Sequence, residues 1–413
     1  MNRLQLLSIA ALASCSVQAT EITAWAWDPN FNVAALKEAA SVYQKDHPDF
    51  TLNVIASGKE DVEQKLHTML ASGVTSALPD IVLIEDYNAQ KYLNAYPGSF
   101  QAMQSVVDYR QFAPYKVEVM TVGQDVYGLP FDSGVAGLFY RRDLLKQAGI
   151  SADDLQSISW DEYIDIGKKV KQTTGKYMMG FDIQDTVFIH ILMQSGGEWF
   201  FNHDGSLNIL HNKALKEALK TVKAIHDAKI VRPVSGWSDF VGSFNSGKVA
   251  SVTSGVWMIG SVKSEASQSG QWGVAPIPKL NLANSVHASN QGGSSWYVLS
   301  AGKQPQLAID FLDKTFGGDV DMYQKLLVER GALSTYLPAK TGKAYQVDDA
   351  FFGGQKVYGD FSKWVAQIPK VPYGMYTQEV DNALSALIPS LLSGTPVDEI
   401  LESLNNNLKY QIQ

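Results

Sequence analysis

Two short stretches of the sequence place an acidic side chain next to an aromatic ring where a predicted strand ends. In EITAWAWDPNFN, strand-like residues run up to Trp27 and are followed by Asp28 and a Pro-Asn break. In DIVLIEDY, the apolar strand is followed by Glu85, Asp86 and Tyr87. Ligands of open α/β sheets bind outside the carboxyl ends of the strands, where rings and acids are useful together. The two stretches therefore predict a binding site at one edge of a sheet.

Each of these side chains also has a purely structural interpretation, which the sequence leaves open. Asp28 is placed to cap the following helix, and Trp27 can belong to the core. Glu85 and Asp86 are favoured at the start of a helix by its dipole. Trp25 lies on the same face of the strand as Trp27, so one ring can be core while the other meets a ligand. We favour Trp27 as the ligand contact, because it lies nearer the end of the strand.

The length and composition favour a two-lobed globular protein. A chain of 413 residues exceeds the size at which one hydrophobic core usually stops growing, about 250–300 residues. Apolar residues make up 45% of the chain and charged residues 18%, as in ordinary soluble proteins. The formal net charge is −8 and no block of Lys or Arg occurs, so we expect neither nucleic acid nor an anionic membrane as a partner.

The first nineteen residues have the pattern of an export signal. Arg3 provides the charged start, and residues 4–13 form a short apolar segment. Cleavage after Ala19 is one interpretation; the stretch LASC also resembles a bacterial lipobox, in which Cys15 would be lipidated and become the first residue. Cys15 is the only cysteine, so we expect no disulfide. We predict an exported protein of the periplasm, or a lipoprotein anchored at the outer face of the cytoplasmic membrane.

Strand and helix patterns alternate along the first part of the chain. TLNVIAS and DIVLIED are predicted strands, and KEDVEQKLHTMLASG between them is a predicted helix that ends at Gly73. The apolar face of this helix holds Val62, Leu66, Met69 and Leu70. Such βαβ order predicts a parallel sheet flanked by helices. YGLPFDSGVAGLFY and QWGVAPIPKL combine strand residues with Pro and Gly, as segments that cross between two lobes would.

We therefore predict an α/β fold of two lobes, each an open, mainly parallel sheet flanked by helices, with a ligand cleft between the lobes. Asp132 stands at the first crossing, near the floor of such a cleft, although it can also be a turn residue that bonds its own backbone. The predicted divisions are a signal peptide over residues 1–19, a first lobe over residues 20–132 plus 279–330, and a second lobe over residues 133–278 plus 331–413.

Several stretches together resemble one known family, the extracellular solute-binding proteins of carbohydrate ABC transporters, in the group of the maltose-binding protein. The resemblance covers essentially the whole chain after the export signal. It rests on EITAWAWDPNFN, LPDIVLIEDYNAQ, VYGLPFDSGVAGLFYRRDLL, WDEYIDIGKKV, FVGSFNSGKVASVTSGVWMIGS, WGVAPIPKL and NQGGSSWYVLS. Within the group, AWDPNFN, IEDYNAQ and PFDSGV are most similar to the binding proteins for lactose and related galactosides or arabinosides.

The resemblance implies a site in which two lobes close on a sugar. Carboxylates and amides bond the hydroxyls of a sugar, and flat aromatic rings pack on its apolar face. The implied contacts in the first lobe and at the crossing are Trp27, Asp28, Glu85, Asp86, Tyr87 and Asp132, with Asn88 as a weaker candidate. The implied contacts farther along the chain are Trp199, Trp237, Trp257, Gly293, Ser294, Arg330 and Tyr373.

Some of these contacts carry a specific role and a structural alternative. Trp257 corresponds to the stacking tryptophan of the family's second lobe, or it is a buried ring under a strand–helix turn. Residues 292–294 bring backbone N–H groups to the ligand, or they form a simple turn. Glu198 stands where the maltose-binding branch commonly has Tyr, so stacking there is expected to fall to Trp199 instead.

The resemblance also implies partners. A monomeric binding protein would carry a carbohydrate ligand to permease subunits in the membrane, which a separate ATPase powers. The candidate contacts are acidic and aromatic, which suits a neutral sugar better than a phosphate, for which Arg and helix N-termini are expected. Acids combined with rings can also surround a cation, so the same fold binding a polyamine stays an alternative.

Catalytic and metal-binding motifs are absent from the sequence. There is no GxSxG elbow and no HExxH motif, and the seven His residues are scattered without ligand spacing. A glycoside-cleaving enzyme would need two carboxylates about 5–10 Å apart. Pairs of neighbouring acids include Glu85-Asp86, Asp153-Asp154, Asp161-Glu162 and Asp348-Asp349, and the last three lie in predicted helix starts or polar turns. We predict no catalytic residue, metal ligand or cofactor, and keep a secreted glycoside-active enzyme as an alternative.

Overall fold

The structure is a computed structural model that describes residues 20–409 and residue 412. The predicted export signal, with Cys15 and the cleavage site at Ala19, lies outside the described residues. Within the described part of the chain, no helix combines the length and the apolar character needed to cross a membrane.

Strands and helices alternate through the first two thirds of the described chain, and helices dominate the rest. The strands are β1 (Glu21–Ala26), β2 (Thr51–Ala56), β3 (Ile81–Glu85), β4 (Thr121–Val122), β5 (Asp125–Val126), β6 (Gly128–Pro130), β7 (Ala136–Arg141), β8 (Met179–Phe181), β9 (Val231–Pro233), β10 (Ser251–Gly255), β11 (Trp272–Ala275) and β12 (Ser294–Val298). The α-helices are α1 (Asn32–Tyr43), α2 (Lys59–Ser72), α3 (Asp86–Ala95), α4 (Pro114–Val119), α5 (Arg142–Gln147), α6 (Trp160–Thr174), α7 (Val187–Ser195), α8 (Lys213–Asp227), α9 (Gly236–Asn245), α10 (Ile259–Lys263), α11 (Pro305–Lys314), α12 (Val320–Arg330), α13 (Val357–Val365), α14 (Thr377–Ser385), α15 (Ile388–Leu392) and α16 (Val397–Leu408).

The first lobe is built on a sheet with the strand order β2-β1-β3-β12-β6. Strand β1 pairs in parallel with β2 and β3, whereas β12 runs antiparallel to both β3 and β6. Four strands therefore share one direction, and β12 opposes them. The carboxyl ends of β1 and β3 lie at the same edge of the sheet, which brings Trp27 and Asp28 close to Glu85.

The second lobe repeats this arrangement. Strand β7 lies between β10 and β11 and is antiparallel to both. Strands β8 and β9 pair in parallel, and a parallel bridge between Tyr177 and Val249 joins this pair to the β10 side. Both lobes thus combine strands of one direction with a single antiparallel strand, and that strand follows the crossing from the other lobe.

Helix α2 illustrates how local sequence produces these elements. Its apolar side turns toward the sheet, with Val62 and Leu66 buried and Met69 and Leu70 packed against the same core. The helix ends at Gly73, whose φ of +69° is a left-handed conformation that glycine adopts without strain. The predicted helix, its apolar face and its final glycine are confirmed.

The predicted lobe boundaries remain a prediction, and backbone pairing places two segments differently from it. Residues 332–336 follow the predicted boundary at 330, yet Tyr336 bridges Phe112 and Ser334 bridges Asp132 in the first lobe. Lys279 was assigned to the first lobe, yet it bridges Ser159 at the start of α6. We therefore propose that the chain changes lobe later than predicted at two of the three boundaries, after residue 279 and after residue 336.

Candidate ligand-binding cleft

A cleft of about 1020 Å³ lies between the lobes and is lined from both of them. The first lobe contributes the segments that follow β1 and β3, and the second lobe contributes the turn after β10 and the starts of α7 and α9. Ten of the thirteen predicted contacts line it: Trp27, Asp28, Glu85, Tyr87, Asp132, Trp237, Trp257, Gly293, Ser294 and Arg330. The weaker candidate Asn88 lines the cleft as well.

The turn after β1 gives Asp28 a structural role in addition to its place in the cleft. Its Oδ1 accepts hydrogen bonds from the backbone N–H groups of Asn30 and Phe31, at 2.7 and 3.1 Å. Trp27 is half-buried and lines the cleft, whereas Trp25 is buried under the Lys65 ammonium, 4.2 Å from the ring centroid. The placement agrees with our choice of Trp27 over Trp25.

Asp86 does not reach the cleft, which corrects its prediction as a ligand contact. Its side chain is fully buried, and the Lys116 ammonium lies 2.7 Å from both of its carboxylate oxygens. Burial raises the pKa of Asp86, and the neighbouring ammonium opposes that rise. The preceding residue, Glu85, points to the cleft and forms an ion pair with Lys59 at the start of α2.

The Lys116 ammonium ties together the segments that form the floor of the cleft. It also donates hydrogen bonds to the carbonyl oxygens of Asp132 and Ser294, each at 2.8 Å. The Asp132 Oδ1 in turn accepts from the backbone N–H and the hydroxyl of Ser294, at 2.8 and 2.7 Å. The N–H of Ser294 is therefore used within the protein, which corrects the expectation that it faces a ligand.

Glycines at the floor are required by close packing. Gly293 has a φ of +87°, and a Cβ at this position would lie 2.8 Å from the Asp86 Oδ2. Gly255, at the end of β10, would place a Cβ 2.3 Å from the Trp257 Nε1. Without a Cβ at these positions, the backbone can approach Asp86 at the floor of the cleft and Trp257 at its wall.

Trp199 and Tyr373 lie beneath the cleft and do not line it, which corrects both predictions. The Trp199 ring is fully buried, and its Nε1 donates to the Thr377 hydroxyl at 3.0 Å. The Tyr373 hydroxyl is held by Gln194, at 3.1 Å. The aromatic ring of Tyr87 covers both, 5.7 Å from the Trp199 centroid and 4.8 Å from the Tyr373 centroid. The Trp199 ring stacks on Tyr87 within the protein and is not available to a ligand.

The second lobe presents two tryptophans to the cleft. The Trp257 Nε1 donates to the carbonyl oxygen of Gln291 at 2.9 Å, which fixes the ring beside the crossing segment. The Trp237 ring lies 5.9 Å from that of Trp257 and is 54% exposed, which is unusual for so large an apolar side chain. Arg330, the last residue of α12, adds a cation to the opposite rim.

The structure adds cleft residues that the sequence reasoning missed. Lys59 and Glu63 stand one turn apart on α2, which follows a strand of the same sheet, so their position was available from the sequence. His190 and Asp381 could not be predicted from the sequence as cleft residues, because they are 191 positions apart and meet only in the fold. The His190 Nε2 and the Asp381 Oδ1 are 2.6 Å apart. The other missed residues are Phe31, Asn32, Asp185, Val187, Val256, Ile259, Gly260, Lys263, Gln291, Val328, Glu329, Gly331, Tyr358, Thr377 and Gln378.

The cleft is rich in acidic side chains and in rings. Its lysine and arginine residues are Lys59, Lys263 and Arg330, and His190 also lines it. Its acidic residues are Asp28, Glu63, Glu85, Asp132, Asp185, Glu329 and Asp381. Among the described residues, no group of three or more His, Cys, Asp or Glu could hold a metal ion. The arrangement offers many hydrogen-bond acceptors and repels anions.

A family model described as bacterial extracellular solute-binding protein matches residues 38–352. The chain belongs to this family. The solute-binding protein is also 53% identical, over 408 residues, to the lactose-binding protein of Rhizobium radiobacter, which covers 99% of this chain and 97% of the relative. The family and this relative are binding proteins, and the resemblance predicted from the sequence is confirmed.

Solved structures show the same fold. The sugar-binding protein MalE of Xanthomonas citri matches with a TM-score of 0.78 at 18% identity, covering 94% of this chain and 96% of that chain. The galacto-N-biose-/lacto-N-biose I-binding protein of Bifidobacterium longum, solved with lacto-N-biose, matches with a TM-score of 0.76 at 22% identity, covering 95% and 96%. At these identities the likeness concerns the fold alone, and the predicted two-lobed α/β architecture is confirmed.

Proposed function

We propose that this solute-binding protein captures a galactoside of disaccharide size, with lactose as the leading candidate, and delivers it to an ABC importer. The observation that carries the proposal is the pairing of aromatic rings from both lobes across an acid-rich cleft. Trp27 belongs to the first lobe, and Trp237 and Trp257 belong to the second. The choice of lactose is supported by the relative of that name at 53% identity.

The chemistry of the cleft fits a neutral sugar. Sugar hydroxyls donate to carboxylates, and Asp28, Glu85 and Asp381 stand on the cleft wall. The apolar face of a pyranose packs on a flat ring, a role that Trp257 and Trp27 can share from opposite lobes. A volume of about 1020 Å³ lies at the upper end of the range for small-molecule sites, which favours an oligosaccharide over a monosaccharide.

Capture would be coupled to closure of the lobes. Because the ligand contacts both lobes, it interacts more strongly with the closed form and shifts the population toward it. The crossing segments near Asp132 and Gly293 connect the lobes at the cleft floor, and the buried Lys116 ammonium holds them together. These segments are where we expect the hinge.

We further propose that the protein binds the sugar without cleaving it. Of the neighbouring acids Glu85 and Asp86, the second is buried on Lys116 and is withheld from any ligand. A pair of carboxylates with separate roles, as glycoside cleavage requires, is therefore not available from these two residues. A polyamine is the second candidate ligand, because acids outnumber bases in the cleft and rings can contact a cation.

The partners and the cellular location are proposed on the same basis. Membership of an extracellular solute-binding family supports an exported protein, in the periplasm or lipid-anchored at the outer face of the cytoplasmic membrane. We propose that it acts as a monomer and delivers its sugar to permease subunits that a separate ATPase powers.

Tryptophan fluorescence of the mature protein, titrated with a ligand panel, tests the proposal. The panel holds lactose, other galactosides, arabinosides, maltose, cellobiose and xylobiose, with spermidine as the polyamine control. We expect saturable, micromolar or tighter binding of lactose, with the sugar recovered intact afterwards. Recovery of galactose and glucose would mean an enzyme, and a response to spermidine alone would keep the fold and discard the sugar.

A further inference from the structure

A second cavity, which we call the annex, opens from the wall of the cleft into the second lobe. It has a volume of about 420 Å³ and is lined from β8, α7, α9 and β10. The residues Asp185, Val187, Trp237 and Gln291 line both the cleft and the annex. The two spaces are therefore adjacent, and these four side chains lie between them.

The annex has an apolar part and a polar part. Six apolar side chains line it: Met179, Phe181, Phe188, Ile191, Phe240 and Val252. Its polar lining residues are Asp182, Gln184, Asp185, Thr253 and Gln291. A hydroxylated sugar ring placed against the six apolar side chains would lose hydrogen bonds to water without replacing them there. An apolar group would instead leave water for a site that already resembles a protein interior. Three phenylalanine rings among the walls favour a flat, aromatic occupant.

Trp237 marks the passage between the two spaces. Its ring is 54% exposed, lies 5.9 Å from the Trp257 ring and lines both cavities. It follows Gly236, whose φ of +69° turns the chain at the start of α9. A sugar packed on Trp257 would therefore have one end at the mouth of the annex.

We propose that the annex binds the aromatic aglycone of a glycoside whose sugar occupies the cleft, so that aryl galactosides are ligands of this protein. The inference rests on the proposed function for its sugar and goes beyond it in assigning a separate site to the non-sugar part. It predicts that a ligand with an aromatic aglycone binds more tightly than one with the same sugar and only a methyl group.

Calorimetric titration with phenyl β-galactoside and methyl β-galactoside, beside lactose, tests the annex. We expect the phenyl compound to bind at least about tenfold more tightly than the methyl compound, because its ring leaves water for the apolar walls. Val187→Phe narrows the mouth from a half-buried position, and it should reduce the phenyl-to-methyl ratio to below about threefold. The matched control, Val347→Phe, changes a 60% exposed residue outside both cavities and should keep the ratio.

The outcomes separate the two proposals. If lactose binds and the unmutated protein shows a phenyl-to-methyl ratio below about threefold, the annex proposal is overturned and the galactoside function stands. A high ratio that Val187→Phe leaves unchanged would also overturn it, because the ring would then bind elsewhere. If neither lactose nor either galactoside binds, the proposed function and the annex proposal both fail.

Discussion

Replacing Lys116 with Met is expected to destabilise the protein strongly, because it leaves the Asp86 carboxylate buried without a counter-charge. Both side chains are fully buried, and the ammonium also donates to the carbonyl oxygens of Asp132 and Ser294. Removing one partner of a buried ion pair costs about 3–5 kcal/mol, since the remaining charge has neither water nor a partner. We expect the free energy of unfolding to fall by that amount.

The neighbouring ion pair provides a matched control. Lys59 pairs with Glu85, but their side chains are 32% and 23% exposed. Ion pairs that water can reach contribute about 0–1 kcal/mol, so Lys59→Met should cost far less than Lys116→Met. Denaturant unfolding followed by circular dichroism gives both values. The double variant Asp86→Asn with Lys116→Met should recover part of the loss, because no buried charge remains.

The stability loss of Lys116→Met should depend on pH, in a direction that the pKa of Asp86 determines. Burial raises the pKa of Asp86 in the folded protein, and losing the opposing Lys116 ammonium would raise it further. In folded Lys116→Met, the Asp86 carboxyl keeps its proton at pH values at which the unfolded chain has released it. The free energy of unfolding of this variant is therefore greatest at low pH, and it falls as the pH rises through the folded-state pKa of Asp86. The deficit relative to the unmutated protein should therefore be larger near neutral pH than at about pH 5. A loss no larger than that of Lys59→Met, or a deficit independent of pH, would refute the reasoning.

Three further variants test the cleft and its floor. Trp257→Ala should weaken binding of the sugar about tenfold or more, as measured by calorimetry, while the protein stays folded at the temperature of the titration. An unchanged affinity would mean that this ring does not contact the sugar. Trp199→Phe should change affinity less than about threefold, because the ring is buried below the cleft; a tenfold loss would restore it as a contact. Gly293→Ala should lower the free energy of unfolding, measured with denaturant, more than Gly354→Ala does. Both glycines have φ above +80°, but only a Cβ at position 293 would meet Asp86. Equal losses would show that the contact with Asp86 does not matter.

Much of the fold could be predicted because its signals are local. The apolar run of β3, the amphipathic side of α2 and the Pro-Gly interruption around Asp132 are each visible within a few residues. Contacts at the ends of strands could also be predicted, since parallel strands end at one edge of a sheet. Trp27 and Glu85 reached the cleft for this reason.

The remaining contacts depend on tertiary packing that no local pattern carries. Asp86 and Glu85 are neighbours at the end of β3, yet the first turns inward because Lys116, thirty positions along, meets it there. The family resemblance implied Trp199 as a stacking contact, but Tyr87 from the other lobe covers its ring. Such choices depend on which side chain arrives from a distant segment, and a sequence read in short windows does not contain that information.

The order of strands in the first sheet has a consequence for how the chain is made. Strand β12 lies between β3 and β6, although it begins at residue 294 and they end at residues 85 and 130. A ribosome therefore emits both neighbours long before the strand that joins them, and at about 5–20 residues per second the gap stays open for roughly ten seconds or longer. During that interval the first lobe has unpaired edges and cannot complete its sheet. Late completion would keep the nascent chain loosely folded for the period in which an exported protein must still be threaded through a membrane channel.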